Sequence, residues 1–95
     1  MKTRAILRIF EKLEMEIREG LDTLAFFRWE GKTVLWTKVP HKSGELKGKL
    51  PHFIRQQLRL NEEQFRAAIA CTIWRREYAE ILRAKGLLPP EKHEE

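Results

Sequence analysis

The sequence predicts an α+β fold: a helix, an antiparallel hairpin or three-stranded sheet, a second helix, and an appended C-terminal helical pair. Three observations carry this. Apolar residues recur at spacings of three and four from Ile6 to Ile17. Two runs rich in Phe, Trp, Val and Thr flank Glu30-Gly31-Lys32. Helical spacing then returns from Pro51 onward.

Taken in order, Thr3 is placed to N-cap the first helix, with Ile6, Ile9, Phe10, Leu13 and Ile17 on one face and Gly20 as its closing residue. Residues 23–29 and 33–39 read as the hairpin. Gly31 supplies the positive φ of its turn, and Pro40 ends the ladder because it has no N–H to donate. A two-residue turn at Glu30-Gly31 sets Phe26 opposite Leu35 and Leu24 beside Thr37 on one face. Ala25, Phe27, Val34 and Trp36 then lie on the other, so both faces are apolar. Residues 42–49 contain Gly44 and Gly48 and read as a loop.

Pro51 suits the first turn of a second helix, whose inner side is Phe53, Ile54, Gln57 and Leu58. Asn61 and Gln64 have the spacing of a capping box at the start of a third, with Phe65, Ala68 and Ile69 inward. Thr72 is the expected cap of a fourth, with Tyr78, Ile81 and Leu82 inward and Gly86 at its end. Residues 1–88 are thus expected to form one domain, and residues 89–95 a disordered polar tail.

The 95 residues are 42% hydrophobic and 35% charged, enough for one core and too few for a separate catalytic domain. No run approaches the ~18 apolar residues of a spanning helix. Charges from Arg8 to Lys12 interrupt the apolar stretch a signal peptide needs, so no membrane association and a cytoplasmic location are expected. A single Cys71, set in an apolar run, excludes an intrachain disulfide and reads as a small buried hydrophobe. Three histidines and one Asp without close ligand pairs argue against a metal site, and no cofactor is expected. One Ser, one Asn and one Asp among many Glu, Lys and Arg is a thermophile-like composition.

Charge is the strongest functional signal. The net charge is +5, and residues 28–59 alone hold eight Lys or Arg against Glu30 and Glu45. Lys38, Lys42, Lys47 and Lys49 fall on a strand end and a loop, while Arg55 and Arg59 are four apart on the second helix and so share a face. With His41, they are expected to form one positive surface for the phosphates of a nucleic acid. If about five phosphates are neutralised, log K falls by roughly 3.5 to 4.5 per decade of salt. Solvated lysines that serve only solubility are the plainer reading of the same residues. His41 is also the candidate general base, since its ordinary pKa lies near neutrality. His52, in the first turn of the second helix, reads as structural or exposed.

The order of elements resembles the HicA family of toxin–antitoxin ribonucleases, which look like small double-stranded-RNA-binding (dsRBD-like) domains. The likeness runs from about Arg4 to Leu60. It rests on the leading amphipathic helix, the Gly20-Leu21-Asp22-Thr23 entry to the hairpin, the "EGK" turn and "TKVPHKSGELKGKLPHFIRQQL". It implies RNA as ligand, structured or double-stranded, and an antitoxin-like protein partner. It also implies a ribonuclease histidine as the first hairpin strand begins, where this chain has Thr23, with Leu21 in place of the family's glycine. A hydroxyl is no general base at neutral pH, so RNA binding without cleavage is the leading expectation. Two alternatives stay open: a ribonuclease using His41 or His52, and a protein-interaction module that takes an antitoxin-like partner or a second copy of the chain through the second hairpin face (Phe27, Val34, Trp36) or the appended helices.

Overall fold

Thr3–Lys12 forms α1, and its face Ile6, Ile9, Phe10 and Leu13 is buried. Lys2, not Thr3, is the N-cap residue, and no side chain caps this end. The helix also stops sooner than its apolar spacing suggests. The Met15 N–H reaches the Phe10 carbonyl and the Glu14 N–H the Glu11 carbonyl, both at 3.0 Å. This is a Schellman closure with Glu14 at φ 54°. The chain then turns into a strand, β1 (Glu16–Glu19), so Ile17 is exposed and Gly20 lies in the next turn.

The computed structural model describes residues 1–40 and 44–89. After β1 come β2 (Asp22–Trp29), β3 (Lys32–Pro40), α2 (Leu50–Gln57), α3 (Glu62–Ile69) and α4 (Arg75–Ala84). The strands form an antiparallel meander in the order β1-β2-β3. The fold class is α+β, with a three-stranded sheet and four helices among the described residues. No helix among the described residues is long and apolar enough to cross a membrane. The expected tail beyond Pro89 lies outside those residues, while Pro89 itself accepts a hydrogen bond from Arg83 Nε at 3.2 Å.

A bulge resets the hairpin register. Arg28 lies opposite Thr33, but Phe27 lies opposite Leu35, which leaves Val34 as the extra residue. Phe26 therefore pairs with Trp36 rather than Leu35, and every later side chain of β3 changes sides. Thr23, Ala25 and Phe27 join Thr37 and Val39 on the buried face. Leu24, Phe26, Trp36 and Lys38 lie on the other.

The buried face shares one core with Ile6, Ile9, Phe10, Ile54, Leu58, Phe65, Tyr78 and Leu82 from the four helices. Phe53, expected inside, is 51% exposed. The capping box of Asn61 and Gln64 forms as its spacing predicts, at 2.7 and 3.0 Å. Thr72 does not cap α4. Its hydroxyl donates back to the Ala67 carbonyl at 2.9 Å, and Glu77 instead accepts from the Trp74 N–H at 2.9 Å. Cys71 is exposed rather than buried, because it holds the left-handed position (φ 66°) that closes α3.

Each of α1 to α4 ends in a Schellman closure, at Glu14, Arg59, Cys71 and Gly86. Three of these positions lack the glycine that the conformation favours. Glu14→Gly should stabilise the fold by about 0.5–1 kcal/mol, net of the extra freedom glycine gives the unfolded chain. Thermal unfolding then shifts upward by a few degrees; a lower Tm would show that the Glu14 side chain contributes more than its backbone strain costs.

Tyr78 is fully buried and its hydroxyl donates to the Leu58 carbonyl at 2.7 Å. Burial pushes this phenol well above its ordinary value, and the nearby Arg59 cation only partly offsets it. The protonated form is the one the fold holds. Its contribution is complete below the unfolded-state pKa of about 10 and is lost as pH rises beyond it. Tyr78 is the only tyrosine, so tyrosinate absorbance should rise together with unfolding in alkali rather than before it. A tyrosinate signal in the folded protein near pH 10 would contradict this.

Candidate nucleic-acid interface

The basic segment is built around two buried anchors. Val39 is fully buried at the end of β3, and Leu46 is buried in the loop before α2. Between them, His41 and Lys42 lie outside the described residues. From Gly44 the backbone is tied to the start of α1. The Thr3 N–H donates to the Gly44 carbonyl at 3.4 Å, Lys2 and Glu45 form an antiparallel bridge, and the Leu46 N–H donates to the Met1 carbonyl at 2.7 Å. Lys47 and Lys49 follow and are exposed. The Leu50 N–H closes a turn onto the Lys47 carbonyl at 3.3 Å, and Lys49 takes the N-cap position of α2.

The loop from Gly44 to Lys49 thus links the starts of α1 and α2 at one corner of the chain, and both carry cations. Lys2 is the N-cap of α1 and Arg4 lies in its first turn; neither α1 nor α2 has an acidic residue in the first turn. The N-terminal end of a helix is its positive pole, so lysines there oppose the macrodipole. α3 follows the favourable rule, with Glu62 and Glu63 in its first turn, while α4 sets Glu77 beside Arg75 and Arg76. An anion at the corner would relieve the repulsion that Lys2, Arg4, Lys47 and Lys49 create; Glu45, in the same bridge, offsets part of it.

The other expected contacts scatter. Lys38 is exposed but sits on the sheet face opposite to buried Thr37, whose hydroxyl contacts Gln57 of α2. Arg55 is committed to structure: Nη1 donates to the Leu60 carbonyl and Nη2 to His52 Nδ1, both at 2.9 Å. Arg59 does not share a helical face with it. The helix ends at Gln57, and Arg59 takes φ 62° about 12 Å along the axis from the lysines. Thr23, where the resemblance implies a histidine, is only 4% exposed and lies on the core side of β2. Of the expected surface, the structure thus groups Lys47 and Lys49, adds Lys2 and Arg4, and separates Lys38, Arg55 and Arg59. The basic run Met1-Lys2-Thr3-Arg4 is visible in the sequence, but its placement beside Lys47 depends on a long-range bridge. Comparisons with protein-family models, with curated proteins and with solved structures find no match to this chain.

Proposed function

We propose that the chain binds structured or double-stranded RNA through the corner formed by Lys2, Arg4, Lys47 and Lys49, and does not cleave it. The observation that carries this reading is the pair of cationic helix starts joined by the Lys2–Glu45 bridge. Such an arrangement is unfavourable by itself and becomes favourable when phosphate occupies it. The order helix, three strands, helix is also what the HicA-like resemblance implies, and small domains of the dsRBD type read the shape and phosphates of an RNA duplex rather than its sequence. The non-cleaving part of the reading is supported by position 23, where the resemblance implies a histidine and this chain has a buried threonine hydroxyl that cannot serve as a base. The test is a labelled RNA hairpin titrated with the protein at about 50 mM salt and followed by anisotropy. A saturable rise with the hairpin still intact is expected. Flat anisotropy would overturn the binding reading, and shortened RNA would overturn the non-cleaving part.

A further inference from the structure

The sheet face turned away from the core carries two rows that cross all three strands. Arg18, Leu24 and Lys38 form one, and Glu16, Phe26 and Trp36 the other, as the pairing registers require. The rows are about 7 Å apart, two residues along a strand. Trp36 is 51% exposed, and its ring lies 6.2 Å from that of Phe26 at an interplanar angle of 29°. The Arg18 guanidinium stands 5.5 Å over the Phe26 ring. Glu16 faces both Arg18 at 3.4 Å and Arg28 at 3.9 Å. Counting Arg28 with Arg18 and Lys38 against Glu16 and Asp22, which strand alternation places on the same side, the face keeps a small positive excess around a partly open aromatic surface.

Flat π-faces bordered by cations suit one class of ligand in particular. An unpaired base stacks on an exposed ring whatever its identity, while neighbouring phosphates find the cations. A second copy of this chain would bring two positive faces together, and an aliphatic protein partner would find only Leu24, already half-buried, beside the rings. We propose that this face is a stacking platform for unpaired nucleotides of RNA, with Trp36 taking a base beside the Phe26 ring that Arg18 already covers, and Lys38 taking a phosphate. The inference rests on RNA being the ligand, and it gives the chain a second surface for the single-stranded stretch that flanks a duplex. It also gives Lys38 a role that the helix corner does not.

The experiment compares a labelled oligouridylate, which has no duplex, with the RNA hairpin. Trp36→Ala should weaken oligouridylate binding about tenfold or more while hairpin affinity stays nearly unchanged, and Trp36→Phe should retain most of it. Lys38→Glu should weaken oligouridylate as well, so the test stands even if Trp36→Ala folds poorly. Equal oligouridylate affinity in parent, Trp36→Ala and Lys38→Glu would overturn the platform, as would a parent that binds the hairpin but not oligouridylate; either result leaves the helix-corner reading intact. A parent that binds neither RNA overturns both. A concentration-dependent dimer that Trp36→Ala converts to monomer, with RNA binding unaltered, would assign the face to self-association and overturn the platform.

Discussion

Phe27→Ala should lower the unfolding free energy by about 3–5 kcal/mol, the largest loss expected of any single truncation here. Its ring is completely buried in β2 and joins the sheet to α4 on three sides. Tyr78 meets it edge-on at 4.9 Å, Trp29 stacks at 6.2 Å, and the Arg75 guanidinium stands over it at 4.8 Å. Arg75 in turn donates to the Leu13 carbonyl at 3.1 Å and the Arg28 carbonyl at 2.8 Å, linking α4 to α1 and β2. Truncation leaves a cavity at this junction and removes the aromatic support for that cation. Against a total stability of about 5–15 kcal/mol, Tm should fall by more than ~12 °C. A shift of only a few degrees would show that α4 is held mainly by other contacts.

Reversing Lys47 and Lys49 to Glu should weaken hairpin RNA binding by more than about tenfold at about 50 mM salt. The accompanying stability change has a definite sign. Carboxylates at the start of α2 complement the macrodipole that the lysines oppose, so Tm should stay level or rise. Lost affinity in a protein as stable as its parent is the signature of a binding site. Unchanged affinity would return these lysines to the role of solvated surface charge. Lost affinity with a fallen Tm would instead point to damage around Leu46, whose backbone ties this loop to the first residues.

The sequence revealed features that depend on local chemistry and concealed those that depend on the rest of the fold. The Asn61–Gln64 capping box is a short-range arrangement of two side chains, and it forms as spelled. Pro51 opens α2 for an equally local reason. The end of α1 misleads because the left-handed position is held by Glu14, whereas Gly20 offers a plausible terminus six residues later. The apolar Ile17 then extends the helical pattern by coincidence. The bulge at Val34 has no compositional mark, yet it moves Trp36 from the expected side of the hairpin to the open face.

The same division runs through the candidate site. Lys47 and Lys49 stand out by charge density alone. Arg55 and Arg59 look like a shared face until the helix stops at Gln57 and Arg55 turns to the Leu60 carbonyl. Lys2 and Arg4 join the lysines only because the loop from Gly44 to Leu46 docks on the first three residues, a contact across more than forty positions. No periodicity or spacing encodes that contact.

A cationic corner that holds phosphates makes RNA affinity strongly dependent on salt. Hairpin binding measured between about 50 and 200 mM salt should give a steep linear decline of log K with log salt. With Lys2, Arg4, Lys47 and Lys49 each neutralising one phosphate, the slope is roughly −3. In the variant with Lys47 and Lys49 reversed, it should be shallower by about half. Affinity that is indifferent to salt, or a slope unchanged by the reversal, would show that Lys47 and Lys49 do not hold the phosphates.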